Sequence, residues 1–417
     1  MLKVVTNECV EFNLEDLLRS GVREMLATAL EAEVSEYIEK FKTEVDDEGH
    51  RLVVRHGYGK SRTITTSVGN LTLKAPRVND KRDGEKFISR VLPPYLRKSA
   101  KVESLIPVLY LRGLSTGKIC ETLREYFEGE ASMGLSPATV SKLLKVWERD
   151  FEQFKQRKMT KKYVYLWADG VNVKVRLGDD KKVCLLVIVG VTENGNKELL
   201  AVEDGWRESK ESWGSILRSL VSRGLTAPLL AIGDGALGFW SALREIKEFE
   251  RTKEQRCWIH KIANALNKLP KRVQPEAKRL LHEMMMAPNL SSAEGAKKNF
   301  NETFLAKYKP AVDCLEKDWE KLTSFFNYPA KHWISLRTTN PIESTFATVK
   351  LRTQSTKGSG SPKMAATLAF KLLQEDEKKW RRIRGHDELQ NLLNNGVVYK
   401  DGLMVATDSA DHEVAVG

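Results

Sequence analysis

Two aspartates close apolar runs in this sequence: Asp169 in VYLWADG and Asp234 in LLAIGDG. A carboxylate at the mouth of a buried strand is costly unless positive charge, a partner or a metal offsets it. Each is followed by glycine, which leaves room for a ligand to approach the backbone. Their separation of 65 residues suits a sheet whose first and fourth strands are neighbours. A third acid, Glu343, lies 109 residues further on, in RTTNPIESTFATVKLRT. There Asn340-Pro341 opens a helix and places Glu343 in its first turn. Carboxylates converging from two strands and a helix can hold two Mg²⁺ (or Mn²⁺) ions, hard cations that take oxygen ligands. Two such ions roughly 3.5–4 Å apart activate an attacking oxygen and stabilise a leaving oxygen in phosphoryl transfer, with no covalent protein nucleophile. A lone strand-end aspartate is commonly a cap or turn residue; two of them with an Asn-x-x-Glu helix are harder to read that way.

Cys257-Trp258-Ile259-His260 follows the second aspartate. A Cys and a His at this spacing are half of a zinc site. Cys314 and His332 lie far along the chain and offer no second pair, so zinc is not expected. Cys257 and His260 are expected to pack or hydrogen-bond close to the acids, with His260 contacting a phosphate or tuning a carboxylate. Trp206 and Trp213 read as core residues, the usual fate of tryptophan, or as platforms for a splayed base. Arg337, Lys350, Arg352 and Lys357 flank Glu343, and residues 337–357 carry a net +3. That is a basic rim suited to a DNA backbone, or simply an exposed basic helix.

The elements that must position these residues begin near Lys161. KKYVYLWADGVNVKV, KKVCLLVIVGVTENG and KELLAVEDG are apolar strands separated by turn signals, the clearest at Asn194-Gly195. A helix (SWGSILRSLVSRG), a short buried strand (PLLAIGDG) and another helix (GFWSALREIKEF) follow, giving an α/β sheet with an antiparallel first half. Residues 261–335 read as mostly helical. Residues 341–379 read as helical at both ends with a Gly/Ser break, KGSGSP, at 357–362, and the tail beyond Asp401 reads as disordered.

Upstream, residues 12–42 repeat apolar positions at three and four, an amphipathic helix that serves dimerisation or packs on the rest of the chain. Residues 51–78 alternate β-branched residues broken at Gly69-Asn70, which predicts a small hairpin. Arg55, His56, Tyr58, Lys60, Arg62, Lys74 and Arg77 decorate it, either as phosphate contacts or as ordinary surface charge. Residues 103–150 predict three short helices, the second opened by Ser115 and the third by Ser136-Pro137. The third carries Thr139, Ser141, Lys142 and Lys145, and the whole resembles a helix-turn-helix, though any trihelical bundle shares that pattern.

The 417 residues set a prior of roughly two to four domains. A 41% hydrophobic, 30% charged composition excludes a disordered chain. No apolar run approaches the ~20 residues that span a bilayer, so no membrane partner is expected, and the N-terminus lacks the pattern of a signal peptide. Five scattered cysteines argue for a reducing cytosol rather than a disulfide framework. The net charge of +12 favours a polyanionic partner. Residues 1–50 hold 5 Lys/Arg against 13 Asp/Glu, and residues 51–100 hold 12 against 3. A basic block beside an acidic one suggests a nucleic-acid surface next to an assembly or solubility element.

From Arg55 to Lys357 the chain resembles the bacterial Mutator-type insertion-sequence transposases (the insertion sequence 256 family). The matching pieces are RHGYGKSRTITT with LKAPR, YLRGLST with SPATVS, YLWADGVNVKVR, EDGWRESKESWGSILRSLVSRGL, IGDGALGFWSAL, RCWIHKIANALNKLP and TTNPIESTFATVKLRT. The resemblance implies a DDE transposase with an α/β RNase H-like catalytic core built on a mixed sheet. An all-helical insertion would divide the core between Asp234 and Glu343. A mainly helical N-terminal DNA-binding region containing the small β-hairpin would precede it. Asp169, Asp234 and Glu343 take the acidic positions, and Cys257 and His260 the family's C-x-x-H signature. Relatives often carry alanine after the first aspartate; Gly170 stands there here and leaves the carboxylate untouched.

The implied organisation is an acidic helix region (1–50), a basic hairpin segment (51–100) and a helix-turn-helix-like domain (101–160). The first part of the core (161–256), the helical insertion (257–335), the part with the Glu343 helix (336–380) and a tail (381–417) follow. The implied partners are double-stranded DNA, as terminal inverted repeats and as target, and further copies of the chain assembled on it. The expected location is the cytoplasm, on the nucleoid when bound. In relatives a copied circular intermediate occurs, a route this sequence does not show. The rival readings are an inactive transposase-derived DNA-binding protein, for which an eroded set of acids would speak, and an RNase H-type nuclease, which has no need of a long basic N-terminal half.

Overall fold

The computed structural model describes residues 13–84, 86–126, 137–176, 182–205, 208–235, 237–393 and 397–406. The chain divides into two compact units, 1–146 and 147–417.

In the first unit, helix α1 (Leu14–Lys40) starts at Asn13, whose side chain accepts the Glu15 N–H. Its Leu30 packs with Ile64, Leu73 and Leu92, while Leu14, Leu17, Leu18 and Met25 are exposed. Four short strands follow: β1 (Val53–Tyr58), β2 (Arg62–Thr66), β3 (Gly69–Leu73) and β4 (Pro76–Asp80). β1 pairs with β4 and β2 with β3, both antiparallel. The hairpin does not turn at Gly69-Asn70. Thr66 pairs with Gly69 and Thr65 with Asn70, so the turn is Ser67-Val68. Gly69 supplies the positive φ (+105°) that brings the chain out of the turn into β3.

Helices α2 (Ala100–Leu111), α3 (Thr116–Tyr126) and α4 (Pro137–Gln156) are the expected three. Val102 and Ile106, Ile119 and Leu123, and Val140, from the three helices in turn, share one core. Ser115 accepts the Lys118 N–H at 3.4 Å, as a cap should; Ser136, read as the cap of α4, lies outside the described residues.

In the second unit, Phe151 and Phe154 of α4 pack on Phe370, with ring centroids 5.1 and 4.7 Å apart. The sheet is mixed and five-stranded: β5 (Tyr163–Lys174), β6 (Lys182–Thr192), β7 (Lys197–Gly205), β8 (Leu230–Gly233) and β9 (Lys253–Arg256), in the order β7-β6-β5-β8-β9. β5, β6 and β7 form an antiparallel meander, and β8 and β9 run parallel to β5 and β8 in turn. Strands one and four of this sheet are therefore neighbours, as the spacing of the aspartates anticipated. β9 was not anticipated: its KEQR sequence has no apolar residue, and its buried Gln255 is held by hydrogen bonds to the Leu322 carbonyl and the Phe325 N–H instead.

Along β5, alternate residues face opposite sides. Leu166 and Ala168 join a core with Trp213, Leu217 and Leu220 of α5 (Lys210–Ser222) and Phe239 and Trp240 of α6 (Leu237–Glu245). Tyr165 and Trp167 face the other way: the Tyr165 hydroxyl bonds His332 at 2.8 Å and the Trp167 indole donates to the Ser335 carbonyl.

From β9 the described chain is helical up to the Glu343 helix. It runs through α7 (Trp258–Leu266), α8 (Gln274–Met286), α9 (Leu290–Glu316), α10 (Trp319–Thr323) and α11 (Trp333–Leu336). Helix α12 (Asn340–Ser355) packs on β5, and α13 (Pro362–Glu377), capped by Ser361, packs on β7. Ser359, in the break between them, donates its N–H to the Lys174 carbonyl at the end of β5. After α14 (Leu389–Leu393), strands β10 (Val397–Lys400) and β11 (Leu403–Ala406) pair antiparallel across Asp401-Gly402. The tail is thus ordered through residue 406, where disorder was expected from Asp401. Gly402 is the reason: it packs against Ala330 and Trp333 with a positive φ (+80°), a place a Cβ could not occupy.

Candidate active site

Asp169 does not end its strand. β5 pairs with β6 as far as Lys174, but its pairing with β8 stops at Ala168 opposite Gly233. Asp169 therefore sits where one edge of β5 becomes free, and Asp234 is the next residue on the neighbouring strand. Gly233 also pairs with Arg256 of β9, and the Cys257 N–H bonds the Gly233 carbonyl at 2.8 Å. Three adjacent parallel strands thus put Asp169, Asp234 and Cys257 in one row, although 88 residues separate the first from the last.

Glu343 reaches this row from α12, where Pro341 stands in the first turn. The Trp258 N–H bonds the Arg337 carbonyl at 2.9 Å, tying the segment before α12 to the start of α7. The Thr339 N–H and hydroxyl each lie 3.3 Å from Cys257 Sγ. The Thr339 hydroxyl also hydrogen-bonds Glu343 Oε1. His260 stands one turn into α7 with Nδ1 at 3.8 Å from Glu343 Oε1, beyond hydrogen-bond reach.

Glu208 is the acid the sequence reading missed. It sits inside EDGWRESKESW, directly before Ser209, the N-cap of α5. Ligand atoms of Asp169, Glu208 and Asp234 all lie within 4.8 Å of one another, and those of Cys257, His260 and Glu343 form a second such group. Gly170 and Gly238 make room for Glu208. A Cβ at Gly170 would stand 2.5 Å from Glu208 Oε1, and one at Gly238 would stand 2.0 Å from the Glu208 carbonyl. A glycine after a strand acid and a glycine in the first turn of a helix were the only hints of this in the sequence.

The electrostatics follow from burial. Asp169 is 8% exposed. Burial first, then Asp234 and Glu343, push its carboxyl up to about 7, against one opposing hydrogen bond from the Gly170 N–H. Burial, with Asp234, raises Glu208 to about 6. His260 is raised to about 9, first by its neighbour Cys257 and then by Glu343 and Asp169. It is therefore a cation beside these acids at neutral pH. An all-oxygen set such as Asp169, Asp234 and Glu208 suits a hard divalent cation.

The other anticipated residues are placed as follows. Arg337 and Arg352 are buried, the first under the rings of Phe325 and Trp333 with its pKa lowered to about 10 by burial. Lys350 is exposed. In the first unit, Arg55 pairs with Glu31 at 2.7 Å and stacks on Tyr58. Arg62 donates to the carbonyls of Leu92 and Pro93. Lys60, Lys74, Arg77, Lys142 and Lys145 are exposed. Trp213 is a core residue, packed edge-on against Phe239; Trp206 lies outside the described residues.

A mixed α/β sheet with acids gathered where its parallel strands end is an architecture that hosts many unrelated functions, so the fold alone does not say which this is. Sequence does: residues 2–383 match the family described as transposase, Mutator family, and the chain belongs to that family. It is 46% identical over 305 residues to the transposase for insertion sequence element IS6120 of Mycolicibacterium smegmatis, covering 73% of this chain and 93% of that one. It is 47% identical over 276 residues to the transposase for insertion sequence element IST2 of Acidithiobacillus ferrooxidans, covering 66% and 92%. At 28% identity over 340 residues, covering 80% and 83%, it is also similar to the transposase for insertion sequence element IS256 in transposon Tn4001 of Staphylococcus aureus. Among the described residues no helix is long and apolar enough to cross a membrane.

Proposed function

We propose that this Mutator-family chain is a DDE transposase with an RNase H-like core, cutting and joining DNA at the terminal inverted repeats of its own element. The observation that carries this reading is the register Ala168–Gly233–Arg256. It sets Asp169 and Asp234 side by side at the end of the parallel strands, with the Glu343 helix docked on the next residue, Cys257.

Asp169, Asp234 and Glu343 are the acids of the reaction, with Glu208 beside the first two. They would hold Mg²⁺ or Mn²⁺, which when bound activates the attacking oxygen and stabilises the leaving oxygen of an in-line phosphoryl transfer. The protein's own part is positioning. Asp234 is fixed by its backbone, because its carbonyl accepts from both the Trp240 indole and Arg256 at 2.8 Å. In the first step a water oxygen bonds to phosphorus and the 3′-oxygen leaves, taking a proton to become a 3′-hydroxyl. In the second that hydroxyl attacks a target phosphodiester and displaces its 3′-oxygen. His260, cationic and on the rim of the acids, is suited to face a DNA phosphate. The exposed Lys60, Lys74, Arg77, Lys142, Lys145 and Lys350 are suited to backbone contacts, which position DNA without reading its sequence. Assembly of several chains on paired DNA ends belongs to the same reading.

The test is strand cleavage and joining on a labelled duplex bearing the element's own end, in Mg²⁺ or Mn²⁺, with Asp234→Asn as control. Metal-dependent nicking at the repeat tip followed by joining, both lost in the variant, is the expected result. Tight binding without cleavage in both proteins would favour an inactive DNA-binding protein instead.

A further inference from the structure

Of the C-x-x-H pair, the reaction above gives a task only to His260. The cysteine is 1% exposed and its sulfur touches Thr339 twice, through the main-chain nitrogen and the hydroxyl. Thr339 is 0% exposed and precedes the first residue of α12. Its hydroxyl has a single hydrogen and two neighbours, the Glu343 carboxylate and the Cys257 sulfur. A carboxylate offers no hydrogen, so the hydroxyl must donate to Glu343. The thiol then donates to the hydroxyl oxygen, and the Thr339 N–H donates back to the sulfur. Thr339 and Glu343 are satisfied in this arrangement, and the sulfur also has the His260 side chain beside it as a hydrogen-bond partner. The Glu343 N–H closes the turn on the Thr339 carbonyl at 2.9 Å.

We propose that Cys257 and Thr339 are positioning residues for Glu343: a buried thiol–hydroxyl–carboxylate chain that fixes one carboxylate oxygen and aims the other at Asp169 and Asp234. The C-x-x-H motif is thereby the clamp between the β9 end of the sheet and the Glu343 helix. Cys257 holds Glu343 through Thr339, and His260, one turn further along α7, faces the same carboxylate. Among the described residues this cluster gathers three candidate ligands, Cys257, His260 and Glu343, one short of a closed structural zinc site. The inference rests on Glu343 being a reaction carboxylate, and the experiment separates the two claims.

Full-length Thr339→Val, Thr339→Ser, Cys257→Ala, Cys257→Ser and Glu343→Gln are compared with wild type. The readouts are cleavage rate, half-saturating DNA concentration, Mn²⁺ binding by loss of the free-ion resonance, thermal midpoint and bound zinc. Residues behind metal-site ligands commonly cost 10–100-fold when changed, so Thr339→Val and Cys257→Ala should cut the cleavage rate at least about 10-fold and weaken Mn²⁺ binding. The DNA concentration dependence should be unchanged. Thr339→Ser and Cys257→Ser keep a hydrogen at each link and should each return to within about 3-fold of wild type, judged by the same scale. A Thr339→Val protein with a lowered midpoint but full rate and Mn²⁺ affinity would overturn the proposal, leaving a purely structural contact. So would a zinc ion per chain that Cys257→Ala removes. Should Thr339→Val fail to fold, the Cys257 pair carries the same comparison. Glu343→Gln cleaving at the wild-type rate would sink the carboxylate reading itself; Glu343→Gln inactive beside a fully active Thr339→Val would sink only the clamp.

Discussion

Arg256 donates from Nη1 to the main-chain carbonyl of Asp234 at 2.8 Å, so the last residue of β9 holds the acid that follows β8. Its guanidinium also lies over the Trp240 ring, 4.6 Å from the centroid. Its charge is answered by Asp318, 3.9 Å from Nε. Asp318 comes from the helical stretch between β9 and α12 and also pairs with Lys261 of α7. One carboxylate therefore answers two buried cations, Arg256 and Lys261.

Asp318→Asn should expose the cost of that arrangement. Lys261 is 7% and Arg256 5% exposed, and removing one partner of a buried ion pair leaves an uncompensated charge, typically worth about 3–5 kcal/mol. Urea unfolding should show a loss of that order. A change under 1 kcal/mol, roughly the value of a surface pair, would mean the cations find other partners.

Gly238→Ala should be equally severe, for a steric reason. The added carbon would stand 2.0 Å from the Glu208 carbonyl, 2.8 Å from the Ser209 carbonyl carbon and 2.9 Å from the Lys210 nitrogen. All three are backbone and cannot swing aside. Gly170→Ala meets only the end of the Glu208 side chain. That protein should fold, with a melting temperature within a few degrees of wild type, since about 1 kcal/mol shifts it by roughly 2–4 °C in chains of 150–250 residues and by less in longer ones. Its Glu208 carboxylate would be displaced. Parallel melting curves decide, and equal midpoints for the two variants would be the wrong outcome.

Asp169 sets a pH dependence with a definite sign. Its folded carboxyl is raised to about 7, so between roughly pH 4 and 7 the native state holds a proton that the unfolded chain has released. Its stabilising contribution is full below that window and is lost as pH rises through 7. Glu208, also raised, acts in the same direction. Without metal, Asp169→Asn should melt a few degrees above wild type at pH 8 and show little difference at pH 5, using the same conversion. Mn²⁺ should raise the wild-type midpoint at pH 8 far more than that of the variant. A variant less stable than wild type at pH 8 without metal would contradict the assignment.

The parts of the site legible in the sequence were those that announce themselves locally. Apolar runs ended near Asp169 and Asp234, and Asn340-Pro341 fixed the helix start that carries Glu343. The five-strand order needed the structure, because β9 is a polar edge strand whose pairing is invisible to hydropathy. Glu208 was hidden among ordinary helix-start acids, and only the approach of Gly170 and Gly238 brings it to the others. Thr339 is one hydroxyl in a run of four polar residues, Arg337 to Asn340, and its link to Cys257 spans 82 positions. Arg337 and Arg352 misled in the opposite direction. Their charge suggested a surface rim, but Arg337 stacks on Phe325 and Trp333 and both are buried, the aliphatic stem and flat guanidinium being well suited to packing.

With those arginines inside, the proposed backbone contacts rest on exposed residues such as Lys142 and Lys145. Lys142 and Lys145 lie three apart on α4 and therefore on one face of the helix. If both meet phosphates, binding to the repeat should weaken about equally on any duplex when either becomes alanine. The slope of log affinity against log salt should fall by about 1 for each lysine lost. Fluorescence anisotropy on the repeat and on an unrelated duplex, from low to moderate salt, measures this. An unchanged slope in the double variant would remove α4 from the DNA surface and leave the contact to Lys60, Lys74 and Arg77. Loss confined to the repeat would instead make these lysines readers of base edges.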